Sequence, residues 1–197
     1  MAKVRPLGLL VNQWEVKNQT KPFSLKSLYV MMHEWVLEKE YSPSVEDPDF
    51  PEISYYESDS QKNGREIWAK WRCFHIPQEN PFYKFVMNVD IHGLFIRPVD
   101  VMHNGKKFKM DSGELYVSCE AILEVDWEGK WRKNWLLKHF LEVFWKRVFW
   151  KNMEKHRKEV YEISMELQTL IKEYLEIRRA IKAPKTYWPA TGIKTEK

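Results

Sequence analysis

Two cysteines and a histidine in this sequence have types and spacing that could bind a metal. Cys73 and His75 share one face of a predicted strand, and Cys119 lies on the apolar face of another predicted strand. Thiolate and imidazole groups are the usual ligands of zinc, so neighbouring strands could bring the three together. Two buried thiols beside a hydrogen-bonded histidine fit the same pattern without a metal. We therefore expect no metal site.

Asp90 and His92 are a second candidate for chemistry, because they share the polar face of one strand as an acid and a base for proton transfer could. Solvent-facing polar residues on an exposed sheet show the same spacing. The sequence contains no GxGxxG, P-loop, HExxH or nucleophile-elbow motif. We therefore expect no catalytic residues and no cofactor, and we predict that the protein is not an enzyme.

The elements that would position these side chains belong to a predicted domain over residues 1–129. Residues 8–16 are predicted to form a first strand, and residues 24–41 a helix with Ser24 as its N-cap. The residues after the helix are rich in proline and acidic side chains, which is typical of an extended loop.

Several segments with alternating apolar and polar residues follow between residues 53 and 127. Asn104-Gly105 is a strong signal for a two-residue hairpin, and Asp111-Ser112-Gly113 predicts another turn. Short connections and one apolar face indicate an antiparallel meander. The predicted fold class is α+β, with this sheet packed by the N-terminal helix and by a long C-terminal helix.

The predicted C-terminal helix spans residues 130–183, which contain neither glycine nor proline over 54 positions. Residues 130–150 would pack on the sheet. Residues 149–181 carry apolar side chains spaced alternately four and three, which is the heptad seam of a coiled coil. The seam consists of Phe149, Met153, Val160, Ile163, Leu167, Leu170, Tyr174, Ile177 and Ile181, with His156 as a polar interruption. Residues 184–197 are expected to be a flexible tail.

The length of this helix indicates what covers the seam. A helix of 54 residues is ~80 Å long, whereas a domain of roughly 130 residues spans ~35 Å. The sheet domain would be too small to cover the seam, which favours self-association, most simply as a dimer. A different protein could cover it instead. A break in the polar run Lys151–Lys158 would also allow the helix to pack back on its own domain.

Charge is unevenly distributed along the chain. Residues 129–197 hold 17 Lys and Arg against 8 Asp and Glu, whereas residues 1–128 hold 15 against 20. Such asymmetry indicates an anionic partner, either a membrane surface or a nucleic acid, although a solvated basic face has the same composition. The candidate contact residues are Lys130, Arg132, Lys133, Lys146, Arg147, Lys151, Arg157 and Lys158.

The N-terminal residues do not resemble a signal peptide, and the sequence holds no apolar stretch of the length that a membrane-spanning helix needs. The two cysteines do not form a CxxC pair or a disulfide framework. We therefore expect a cytoplasmic protein.

The order of the predicted elements resembles the helix-grip arrangement of lipid- and hormone-binding proteins over roughly residues 8–150. The resemblance implies an apolar cavity between the sheet and helix 130–150. Three functions follow from the sequence. The first is a non-enzymatic interaction or scaffold protein that self-associates through its C-terminal helix. The alternatives are a carrier of small apolar, lipid-like ligands, and recruitment to an anionic surface.

Overall fold

The structure, a computed structural model, describes residues 7–19, 21–41, 51–60, 62, 64–103, 106–134, 137 and 150–175. The strands are β1 (Leu7–Asn18), β2 (Glu52–Ser60), β3 (Gly64–His75), β4 (Tyr83–His103) and β5 (Lys106–Val125). The helices are α1 (Leu25–Glu38), which follows β1, and α2 (Lys130–Lys133) and α3 (Trp150–Tyr174), which follow β5.

The five strands form one antiparallel sheet in the order β1-β5-β4-β3-β2. β2 to β5 follow each other as a meander, and β1 completes the sheet beside β5. The buried face of the sheet forms one core with α1 and α3. The predicted α+β class, with an antiparallel sheet packed by an N-terminal and a C-terminal helix, is confirmed.

Alternation along the strands builds this core. Trp71, Met87 and Cys119 are among the inward-facing side chains that are almost inaccessible to solvent. α1 begins where the sequence predicts it, because the Ser24 side chain accepts a hydrogen bond from the backbone N–H of Ser27. This bond satisfies a donor of the first helical turn that has no partner inside the helix.

The predicted turn at Asp111-Ser112-Gly113 is wrong, because β5 runs through these residues without interruption. They pair with a bulged part of β4, where the register shifts between Leu94 and Arg97. A Cβ atom on Gly113 would lie 2.7 Å from the carbonyl oxygen of Leu94. Glycine is therefore required here by the close approach of two strands, and it does not mark a turn.

The hairpin predicted nearby agrees with the strand pairing. His103 pairs with Lys106 at the end of the β4–β5 ladder, so two residues connect the strands. Those two residues, Asn104 and Gly105, lie outside the described residues.

The helix predicted from residue 130 ends after one turn. α2 stops at Lys133, and Asn134 has extended backbone angles, with φ −86° and ψ 122°. The buried carboxylate of Asp126 accepts hydrogen bonds from the backbone N–H groups of Trp131 and Arg132, each at 3.1 Å. These bonds fix α2 to the end of β5 and satisfy N–H groups of its first turn. The prediction of one uninterrupted helix over residues 130–183 is therefore wrong at Asn134.

α3 is continuous from Trp150 to Tyr174, so a break within Lys151–Lys158 is also wrong. The helix nevertheless packs back on its own domain, against β1, β5 and α1. Among the helices in the described part of the chain, none combines the length and the apolar character needed to cross a membrane. Residues 138–149, 176–183 and the tail 184–197 lie outside the described residues.

Candidate functional site

The seam on α3 is packed inside the monomer wherever the structure describes it. The buried positions of the helix and its last turn are Met153, His156, Val160, Ser164, Leu167, Ile171 and Leu175. The pattern repeats after eleven residues, from Met153 to Ser164 to Leu175, rather than after seven. A straight helix drifts by ~20° per heptad, so its buried stripe leaves a heptad pattern within a few turns. The heptad prediction matches the buried Met153, Val160 and Leu167, whereas at the end of α3 Ile171 and Leu175 are more buried than Leu170 and Tyr174.

The remaining seam residues lie beside this stripe or outside the described part. Ile163, Leu170 and Tyr174 are partly buried against the core. Phe149, Ile177 and Ile181 lie outside the described residues.

Polar contacts also connect α3 to its own domain. The Trp14 indole N–H donates to the Ser164 hydroxyl at 2.9 Å. Glu166 forms an ion pair with Lys39 of the same chain at 2.7 Å. The Tyr174 hydroxyl donates to the carbonyl oxygen of Ser24 at 2.9 Å. The premise that the sheet domain is too small to cover the seam is wrong over residues 153–175.

The basic residues predicted to contact an anionic partner largely have partners within the chain. Arg132 lies against Asp126, with Nε 3.2 Å from Oδ2. Lys130 and Lys133 contact Glu128 through its carboxylate and its carbonyl oxygen, respectively. Arg157 pairs with Glu154 at 2.7 Å, and Lys158 lies 3.6 Å from Glu162. Lys151 is exposed on α3, and Lys146 and Arg147 lie outside the described residues.

The cysteine and histidine candidates do not converge. Cys73 and Cys119 are buried free thiols on β3 and β5, with β4 between them. Burial raises the pKa of each thiol to about 12. Among the described residues, no group of three or more His, Cys, Asp and Glu side chains could hold a metal ion.

Asp90 and His92 do not pair with each other, and each has a different partner. Asp90 pairs with Arg72 at 2.6 Å. His92 lies 3.3 Å from a carboxylate oxygen of Glu66 and stacks on the Trp68 ring, with 3.4 Å between ring centroids. This geometry does not form the acid–base pair that their spacing suggested.

A cleft between α1 and the β2–β3–β4 part of the sheet is the candidate site, and we call it the α1 cleft. Its volume is about 360 Å³, which falls in the range of roughly 300–1,000 Å³ typical of small-molecule sites. Helix α1 contributes Leu25, Lys26, Tyr29 and Val30, and the strands contribute Glu52, Tyr55, Arg65, Ile67 and Ile91. Most of the surface that these residues present is apolar or aromatic.

Tyr29 is fixed in the wall of this cleft by the core beneath it. The indole N–H of Trp71, which is fully buried, donates to the Tyr29 hydroxyl at 2.9 Å. The two rings meet edge to face, with centroids 4.8 Å apart and an interplanar angle of 87°. Aromatic pairs of this geometry are favourable, so the wall is held in place before any ligand binds.

Glu52 lines the cleft and is only partly buried as a residue. Its Oε2 atom is inaccessible to solvent and forms no hydrogen bond, in contrast to most buried polar atoms in proteins. Burial raises the pKa of the Glu52 carboxyl, and the neighbouring Trp71 side chain opposes that shift in part.

A β-bulge explains why the sequence did not reveal this site. The β2–β3 register shifts between Glu52 and Ser54, so that Glu52 pairs with Trp71 and Tyr55 pairs with Ala69, both on the buried side of β3. Strict alternation would place Glu52 and Tyr55 on opposite faces. The apolar Ile53 is left 63% exposed at the bulge. The resemblance instead implied a cavity against helix 130–150, most of which lies outside the described residues.

A second cavity, of about 510 Å³, lies between α3 and the β3–β4 connection. Its lining includes His75, Glu79, Lys155, His156 and Glu159. The buried His156 lies 3.3 Å from the Glu159 carboxylate, and His75 lies 3.1 Å from the Glu40 carbonyl oxygen. Because its histidines contact acceptors of the same chain, this cavity gives a weaker argument for a ligand than the α1 cleft.

Comparison of this chain with models of protein families, with curated protein sequences and with solved structures gave no match. The functional argument therefore depends on the geometry of the α1 cleft. Apolar walls and a fixed aromatic side chain can hold a small molecule.

Proposed function

We propose that this protein binds a small, mostly apolar molecule in the α1 cleft and does so without catalysis. The observation that carries the proposal is a cleft of about 360 Å³ with a mostly apolar lining, whose Tyr29 wall is held by the buried Trp71. Binding sites commonly combine mostly apolar walls with a few polar groups that fix orientation. The proposal keeps the ligand-carrier hypothesis but places the site beneath α1.

Apolar surface at the mouth of the cleft supports this proposal. Val30 is 47% exposed and Tyr55 is 48% exposed, although both line the cleft. A ligand that covers them removes apolar surface from water, which is favourable by roughly 25 cal/mol per Å² before the costs of association. Ile67 and Ile91 already form a buried base that a ligand could contact.

Binding can be tested with naphthalene, a planar apolar probe without polar groups, titrated into the isotope-labelled full chain. We expect saturable changes in the NMR shifts of backbone amides in α1 and in β2 to β4. Val30→Trp should fill the mouth of the cleft and abolish these changes. Leu37→Trp is a matched control, because Leu37 is 39% exposed on the same helix and does not line the cleft. No saturable shifts in the unmodified chain, or equal loss in both variants, would contradict the proposal.

Self-association through the C-terminal helix stays a prediction. Its argument depended on an uncovered seam, and Met153, Val160 and Leu167 are buried in the monomer. Replacing Leu167 with Asp would unfold the domain and cannot test the prediction. Light scattering of the unmodified full chain can test it. A dimer mass supports self-association, and a monomer mass at high concentration rejects it.

Binding to an anionic surface also stays a prediction, and it has less support than the cleft. Arg132 forms an ion pair with the buried Asp126. Acidic side chains of the same chain also lie beside Lys130, Arg157 and Lys158. Binding to anionic vesicles or nucleic acid that weakens with added salt would support it, and no such binding would reject it. A cytoplasmic location is likewise a proposal, which the two free thiols support.

A further inference from the structure

We infer that the ligand of the α1 cleft is an apolar molecule with one carboxylate group, which pairs with the ammonium group of Lys26. Lys26 lines the cleft and is exposed to solvent. The apolar part of the ligand would lie over Ile67 and Ile91, which form the buried base of the cleft. This inference rests on the proposed function, because it names the chemical class that the same cleft would select.

Lys26 is the cation of the cleft that has no partner among the described residues. Its ammonium group forms neither an ion pair nor a hydrogen bond with any of them. The Arg65 guanidinium, the other cation of the lining, lies between Glu57 at 3.4 Å and Asp111 at 3.3 Å. A ligand carboxylate can therefore pair with Lys26 without displacing an existing partner.

The Tyr29 hydroxyl is a second hydrogen-bond donor of the cleft. Its oxygen accepts the indole N–H of Trp71 at 2.9 Å, and its own proton has no acceptor in the part of the chain that the structure describes. Lys26 and Tyr29 are three residues apart on α1, so their side chains are neighbours on one face of the helix. The cleft therefore offers two neighbouring donors to a ligand that carries an acceptor.

Glu52, the acidic residue of the lining, lies towards the other end of the cleft. The Asp111 carboxylate accepts hydrogen bonds from the backbone N–H of Leu25 at 3.0 Å and from Arg65 at 3.3 Å. The start of α1 therefore lies at the Arg65 end of β3. Glu52 pairs with Trp71, which follows Arg65 by six residues, or ~20 Å along an extended strand. A ligand carboxylate at the start of α1 is thus separated from the carboxylate of Glu52.

The surroundings of Lys26 also favour a negative charge. The first turn of α1, which contains Lys26, holds no acidic residue, and the N-terminus of a helix stabilises a nearby anion. Because Lys26 is exposed, a carboxylate beside it stays in contact with water and avoids the large cost of burying an ionised group. The expected ligands are therefore apolar chains or rings that end in a carboxylate, rather than apolar amines.

The inference can be tested with compounds that share one ring system and differ in charge. The series is naphthalene, 1-naphthamide, 1-naphthoate and 1-naphthylmethylammonium, each titrated into the full chain at low ionic strength and followed by the same amide shifts. We expect the naphthoate to bind about fivefold tighter than the neutral naphthamide, as for one exposed ion pair. The ammonium compound should bind no tighter than the naphthamide. Added salt should remove most of the advantage of the naphthoate, because it screens exposed charges.

Substitutions of two lysines separate pairing with Lys26 from general attraction by a basic protein. Lys26→Met removes the charge and keeps an apolar stem, so it should abolish the preference for naphthoate and leave naphthalene binding unchanged. Lys26→Arg keeps the charge and should retain the preference. Lys70→Met is the matched control, because Lys70 is an exposed residue of β3 between the buried Ala69 and Trp71, on the opposite face of the sheet. It should also retain the preference.

The outcomes distinguish this inference from the proposed function. Naphthalene binding that Val30→Trp abolishes, together with naphthoate that binds no tighter than naphthamide, would overturn the inference alone. A preference for naphthoate that persists in Lys26→Met, or that is lost equally in Lys70→Met, would also overturn it. If no compound of the series gives saturable shifts with the full chain, both the inference and the proposed function fail.

Discussion

The two halves of the buried sheet face are covered to different degrees. β1 and β5 lie under α3, whose buried stripe runs from Met153 to Leu175. There the buried Trp14 indole donates to the Ser164 hydroxyl. The other half, near β2 and β3, is only partly covered by α1, and the partly buried Glu52 and the half-exposed Tyr55 lie beside it. The α3 half is completed by the fold, whereas the α1 half leaves room for a ligand.

This difference has a simple structural cause. The α3 half is covered by a helix of 25 residues, and α1 has only 14. β2 is also an edge strand whose bulge turns an acidic residue inward and an isoleucine outward. The same antiparallel sheet is therefore closely packed under α3 and leaves an open cleft beside α1. Binding proteins often have such a cleft.

The largest expected effect on the free energy of unfolding comes from a substitution in α3, which covers one half of the sheet. Leu167 is fully buried on α3, so Leu167→Ala should lower the free energy of unfolding by about 2–5 kcal/mol, through lost burial and the cavity left behind. Tyr161→Ala on the same helix is the control, because Tyr161 is 46% exposed and its replacement should cost about 0.5 kcal/mol or less. Urea unfolding measures both. Equal effects of the two changes would mean that α3 does not pack on the sheet as described.

A smaller effect on the free energy of unfolding is expected from the hydrogen bond between Trp14 and Ser164, which connects β1 to α3. Ser164→Ala removes the hydroxyl that accepts from Trp14 at 2.9 Å and from Asn12 at 3.2 Å. We expect a loss of about 1 kcal/mol in the free energy of unfolding, because the Asn12 amide loses an acceptor while the Trp14 indole keeps the Ser164 carbonyl oxygen at 3.1 Å. Ser54→Ala, at an exposed position of β2, should change stability far less. A Ser164 variant as stable as the Ser54 variant would argue against this contact.

The sequence predicts the strand faces and the start of α1 better than the extent of the C-terminal helix, for physical reasons. Alternation finds the inward faces of β3, β4 and β5, and the N-cap at Ser24 locates the start of α1 correctly. The start of α2 is fixed by Asp126, a residue of the preceding loop whose carboxylate accepts hydrogen bonds from the helix N-terminus. No local pattern in residues 130–183 contains that information.

The candidate site was harder still to predict. Glu52 faces inward only because of a bulge, and a one-residue shift of register moves side chains to the opposite face. On α3, the heptad pattern and the eleven-residue pattern agree at Met153, Val160 and Leu167, and they differ at Ser164, Ile171 and Leu175. The small Ser164, which accepts the Trp14 bond, is one of the residues that distinguish them.

The smallest expected effect on the free energy of unfolding comes from Glu52, in the half of the sheet beside α1, and it should depend on pH. Burial raises the pKa of Glu52 above its ordinary value of 4.5, so the folded state binds this proton more tightly than the unfolded state does. The cost of the ionised carboxyl is therefore present above the raised pKa and disappears as pH falls towards 4.5. Glu52→Gln should be slightly more stable than the unmodified chain at neutral pH. Urea unfolding of both chains across this range should show the difference shrinking on acidification, and a difference that grows would contradict the account.

The most direct test of the central claim is to locate a bound probe on the sheet. Intermolecular nuclear Overhauser effects between naphthalene and assigned methyl groups of the full chain would give its position. The account predicts contacts with the methyl groups of Ile67, Ile91 and Val30, which line the α1 cleft. Contacts instead with Leu167 or Ile171 beneath α3, or saturable binding without contacts to the cleft, would contradict it.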